Sequence, residues 1–180
     1  MNIFFALTIT LCAEFIIGEF TGTCDLTWES PEGILKSCYK FHNEQKKVSE
    51  ARSACESEGM RLLALETMAE IELITRHIEP VSSRHSSWQT VDHGDRNMTF
   101  DPTVPAWWTG GHGNLNEDNW VWTPGNTPIV DGWYSGGPSS LTGRSEKCVA
   151  LKNGALHDLK CSVLYPFICE SRVPAISYPL

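Results

Sequence analysis

Six cysteines spread along the chain constrain its fold more than any other feature. Cys24, Cys38, Cys55, Cys148, Cys161 and Cys169 remain once Cys12, inside an apolar N-terminal run, is set aside. An even number of cysteines in a chain entering the secretory pathway reads as a disulfide framework. Zinc ligation is the competing use of thiols, but the sequence holds no C-x-x-C pair and no H-E-x-x-H helix. Three disulfides are therefore expected, with the pairing left open by the cysteines themselves.

The compartment is argued from the first segment. Ile3, Phe4, Phe5, Ala6, Leu7, Ile9 and Leu11 form an apolar run, and Glu14 and Glu19 interrupt the apolar residues after it. Such a run is too short to cross a bilayer and suits a secretory signal peptide over residues 1–22, although no lysine or arginine precedes it. The competing reading is an uncleaved anchor. No other stretch is apolar enough to span a membrane. Asn97-Met98-Thr99 is a glycosylation sequon, consistent with a secreted, extracellular glycoprotein.

At 180 residues the chain accommodates one domain with a sizeable core. Its formal net charge of -8 argues against nucleic acid, whose phosphates demand an excess of lysine and arginine. The region from Cys24 to Phe41 reads as short strands around the Pro31-Glu32-Gly33 turn. Val48, Ala51, Ala54 and Cys55 step at helical spacing, with Gly59 as the terminating residue. Thr67-Met68-Ala69-Glu70 is a capping box opening a second helix with Ile71, Ile74 and Ile78 on one face, ended before Pro80.

From Pro80 to Ala106 the sequence is polar and rich in turns, as expected of an exposed excursion. Trp107, Trp108, Trp120, Trp122 and Trp133 then crowd among Gly, Asn and Pro, a pattern expected of structured loops between short strands. Cys148–Leu151 and Tyr165–Cys169 are strand candidates, and residues 171–180 are expected to form a loose tail.

This order of features resembles a C-type lectin-like domain over residues 24–170. The resemblance is carried by Cys24…Cys38-Tyr39, Ala51-x3-Cys55, Arg61-Leu62 and Glu70. It continues through Trp107-Trp108-Thr109-Gly110, Trp120-Val121-Trp122, Cys148-Val149, Asp158-x2-Cys161 and Pro166-Phe167-Ile168-Cys169-Glu170. It implies an α+β fold of two helices, short antiparallel sheets and long structured loops. It also implies the pairs Cys24–Cys38, Cys55–Cys169 and Cys148–Cys161.

The family holds sugar through a calcium ion, ligated by a Glu-Pro-Asn or Gln-Pro-Asp triplet, a later Glu and an Asn-Asp pair. In this sequence those positions read Gly137-Pro138-Ser139, Glu146 and His157-Asp158. Glu146 and Asp158 alone keep a ligating carboxylate. Calcium needs six to eight hard oxygen ligands, so the site is expected to hold the ion weakly at best. Lys147 adds a like charge beside Glu146 and works further against a cation. Zinc held by His157, Asp158 and Glu146 is the chemical alternative.

No catalytic motif is present: G-x-S-x-G, metalloprotease histidines and the P-loop are all absent, and no enzyme is expected. The expected partner is a glycan, in extracellular or innate-immune recognition, without a required cofactor. The alternative is calcium-independent protein binding through the same loops. The sequence leaves the oligomeric state open.

Overall fold

The computed structural model describes residues 22–31, 33, 35–79, 105–114, 119–139 and 147–174. The N-terminal segment, most of the excursion after Pro80, Asn97 and Glu146 lie outside the described residues. The first part of the chain contributes β1 (Leu26–Glu29), β2 (Leu35–Lys46), α1 (Val48–Ser57), β3 (Arg61–Leu62) and α2 (Met68–Ile78). The second contributes β4 (Trp107–Asn114), β5 (Asn119–Trp122), β6 (Thr127–Pro128), β7 (Cys148–Lys152), β8 (Ala155–Leu159) and β9 (Tyr165–Pro174). The strands join in the order β1-β2-β9-β4-β5-β6, with β3 on β9, and β7 bridging β4 and β8.

Both faces of the central strands are covered, and the side chains sort by parity, as a period of two requires. Trp107, Val149, Leu151 and Ile168 turn toward the core built on Ile71 and Ile74 of α2. Their neighbours Trp108, Cys148, Ala150, Phe167 and Cys169 turn the other way, against Val48, Ala51 and Cys55 of α1. This is why the strand segments read as unbroken apolar runs. Trp108 is fully buried, and its indole N–H donates to the carbonyl of Lys46 at 2.9 Å, so burial leaves no orphaned donor.

The expected helix signals hold. α1 stops where Gly59 takes φ 70°, and the N–H of Met60 returns to the carbonyl of Cys55, closing the last turn. At α2 the Thr67 hydroxyl accepts the N–H of Glu70 at 3.2 Å. The reciprocal half of the box differs, because the Glu70 carboxylate takes the N–H of Glu66 instead, one residue before the cap. The disulfides pair Cys24–Cys38, Cys55–Cys169 and Cys148–Cys161, as the resemblance implied.

Two expectations about strands need correction, and one strand is new. β2 is a single strand of 12 residues, since β9 gives it a partner nearly end to end. β8 was not foreseen: it folds back on β7 through the Asn153-Gly154 turn, in register from Cys148↔Leu159 to Lys152↔Ala155. The chain beyond Glu170 is no loose tail at its start: β9 runs on to Pro174, paired with β2.

Candidate functional site

The triplet position, the His157-Asp158 pair and Lys147 converge at one end of the β7–β8 hairpin. Val149 opposes Asp158 in the register, and Ala150 opposes His157. Trp133 forms a parallel bridge with Leu156, and the N–H of Tyr134 donates to the Leu156 carbonyl at 3.1 Å, pinning the incoming loop beside β8. The chain then turns through Tyr134–Gly137, with the Gly137 N–H donating to the Tyr134 carbonyl at 2.9 Å. The Gly137–Pro138 peptide is cis.

Beyond that turn Ser139 faces Asp158. The Ser139 N–H donates to Asp158 Oδ1 at 3.2 Å, and its hydroxyl donates to Oδ2. The Lys147 ammonium donates to the same hydroxyl and lies 3.1 Å from Asp158 Oδ2. Both charged side chains are buried, with 4% and 5% of their surface exposed. Lys147 also sits 5.5 Å above the ring of Trp120. Burial alone would push the Asp158 carboxyl up. The hydroxyl and amide of Ser139, together with Lys147, outweigh it and hold the group below the ordinary aspartate range.

His157 takes a different partner. Its ring stacks on Tyr134 with centroids 4.6 Å apart and planes within 3°. Burial, then the nearby charge of Lys152, lower its pKa and favour the neutral imidazole. One edge of the Tyr134 ring fills the space above Gly137: a methyl group there would come within 2.6 Å of Cδ1. The missing side chain at 137 is thus replaced by an aromatic ring from three residues earlier.

These residues do not fit calcium. Asp158 is already engaged by the Ser139 amide and hydroxyl and by the Lys147 ammonium, Gly137 has neither a side-chain ligand nor room for one, and His157 offers a nitrogen, which a hard cation disfavours. Among the described residues no group of three or more His, Cys, Asp or Glu side chains is arranged to hold a metal.

Of the residues expected at the site, Ser139 meets Asp158 and His157 lies against the loop through Tyr134, while Glu146 is outside the described residues. The sequence reading treated Lys147 only as a repelling charge and gave Tyr134 no role. The signal for Tyr134 was present, an aromatic residue three places before a glycine standing where the family carries a long side chain.

A second buried polar cluster also escaped the sequence reading. Glu170 is fully buried, accepting hydrogen bonds from the Ser37 hydroxyl at 3.2 Å and the Ala64 N–H at 3.1 Å. Arg172 donates to Glu170 and Glu66, reaches Glu70 at 3.4 Å, and donates to the Ala64 carbonyl at 3.0 Å. With so many short-range partners this cluster ties α2 to β9, and its charges are spent on one another.

A family model described as "Lectin C-type domain" matches residues 44–171. The chain is 25% identical over 149 residues to C-type mannose receptor 2 of Mus musculus, a match covering 82% of this chain and 8% of that protein. It is 30% identical over 154 residues to human chondrolectin, covering 74% of this chain and 52% of that one. Among solved structures it resembles the Ca2+-independent C-type lectin SPL-2 from Saxidomus purpuratus. There the TM-score is 0.55 at 22% identity, with 75% of this chain and 86% of that one covered. The chain therefore spans a small fraction of the first relative's length and about half of the second's.

Proposed function

The chain belongs to the C-type lectin domain family, and we propose that it is an extracellular recognition module that binds carbohydrate without a calcium bridge. The observation that carries this reading is the state of Asp158. Three of its roughly four acceptor positions are taken by the Ser139 amide, the Ser139 hydroxyl and Lys147, and the Lys147 ammonium already sets a positive charge beside the carboxylate, which disfavours a second cation there. Carbohydrate would then be held by direct hydrogen bonds and by contact with the Tyr134 and Trp133 rings, both partly exposed at the loop.

Three disulfides support an oxidising, extracellular setting, and among the described residues no helix is long and apolar enough to cross a membrane. The calcium independence stated for SPL-2 is a precedent for the fold, and the argument for this chain rests on its own residues. We read the chain as a binding protein, with no catalytic role assigned to any residue.

A glycan array probed with the oxidised domain, in calcium and in EDTA, tests the reading. The expected result is a glycan signal that survives chelation and falls on Tyr134→Ala. A signal present in calcium and abolished by EDTA would overturn calcium independence. Silence in both buffers would overturn carbohydrate binding and leave a protein ligand for the same loop.

A further inference from the structure

We infer that the ammonium of Lys147 is the resident cation of this loop, holding Ser139 and Asp158 in the arrangement that the recognition surface requires. The inference rests on the calcium-free reading above and names what takes the ion's place. Three elements meet at the ammonium. Asp158 comes from β8, Ser139 from the loop after the cis Gly137–Pro138 peptide, and the Trp120 ring from β5. Trp120 in turn packs edge-on against Trp133, with centroids 5.2 Å apart. One buried charge thus connects the loop, the hairpin and the aromatic layer.

The backbone of Lys147 is itself fixed. Its carbonyl accepts the N–H of Gly113 on β4 at 3.1 Å, and the next residue is disulfide-bonded Cys148. The side chain therefore reaches toward Asp158 from a rigid backbone base. The charges match one to one, and the third partner, the Ser139 hydroxyl, relays a hydrogen bond from Lys147 to Asp158. A covalently attached cation is at full occupancy at any calcium concentration and cannot be removed by a chelator. Lys147 acts through Ser139 and Asp158, so it is a positioning residue.

The central consequence is charge coupling. Without Lys147, Asp158 becomes a buried carboxylate lacking its counter-charge, which is strongly destabilising; without both, that penalty disappears. The test is thermal unfolding of the oxidised wild type, Lys147→Met, Lys147→Arg, Asp158→Asn and Lys147→Met/Asp158→Asn, each in calcium and in EDTA.

Lys147→Met should lower the melting temperature by about 10 °C, and the double variant should recover at least half of that loss. Lys147→Arg should stay nearer the wild type than Lys147→Met does. The wild type should melt at the same temperature in both buffers. Losses that simply add in the double variant, or a wild type that calcium stabilises, would overturn the inference. Should Lys147→Met fail to refold, the double variant decides: refolding supports coupling, and equal failure refutes it. A silent glycan array alongside intact coupling would sink the carbohydrate reading alone.

Discussion

The phenolic hydroxyl of Tyr39 donates to the carboxylate of Glu70 across 3.2 Å, joining the long strand β2 to the first turn of α2 inside the core. Burial is the largest influence on Glu70 and raises its pKa, Arg172 pulls it back, and Glu170 pushes it up again, with a net rise. Burial and the same neighbouring acids push the Tyr39 phenol far above its ordinary value, so it stays protonated and remains a donor.

A raised carboxyl pKa means that the fold favours the protonated form. The corresponding stability is fully present below the unfolded-state value of about 4.3 and is lost as pH rises through the folded one. The wild type should therefore gain stability relative to Glu70→Gln as pH falls from neutrality toward that unfolded value. Melting curves of both proteins across that range check it, and a gap independent of pH would count against the assignment.

Asp158 has the opposite sign. Its depressed pKa gives stability that is present above the unfolded value of about 3.9 and lost as pH falls through the folded one. Ser139→Ala removes one of the donors that hold it down, so the Asp158 carboxyl should titrate at higher pH in that variant than in the wild type. The cost in stability should be about 1 kcal/mol. Carboxyl-carbon NMR titration reads the shift directly, and an unchanged titration would show that Ser139 does not support the carboxylate.

Tyr134 and Gly137 define one another's size. Gly137→Ala should destabilise by about 1–3 kcal/mol, because the added methyl meets the Tyr134 ring. Pairing it with Tyr134→Ala should return part of the loss, a non-additivity measurable by denaturant unfolding. Equal costs in both backgrounds would place the clash elsewhere.

Cys55 and Cys169 are fully buried and close the widest separation of the three bridges, 114 residues. Replacing both with alanine should cost about 4–5 kcal/mol by the chain-entropy argument. The midpoint of denaturant unfolding measures it. A loss below that of replacing Cys24 and Cys38, which span 14 residues, would contradict the entropic account.

Much of this structure was legible residue by residue where the signal is local. Gly59 and Thr67 bound their helices because cap chemistry is written within a few positions. The tryptophans at 107, 108, 120 and 122 went to the core, as rings too costly to leave in water must. β8 had a local signal that went unused, the Asn153-Gly154 turn at positive φ that folds it back on β7, whereas the far end of β9 was missed because its partner β2 is distant in sequence.

The sequence by itself determined the disulfide-forming class, the two helices and the absence of most ligating oxygens at Gly137, Ser139 and His157. Only the tertiary structure decided what fills the place of those groups. A lysine beside a cysteine is ordinary in a list of residues. It becomes the counter-ion of Asp158 because the β7–β8 register and the turn through Gly137 bring its ammonium, the Ser139 hydroxyl and that carboxylate together out of water. Burial then decides the matter, since two opposite charges that would each be solvated in an open chain must satisfy one another inside the fold.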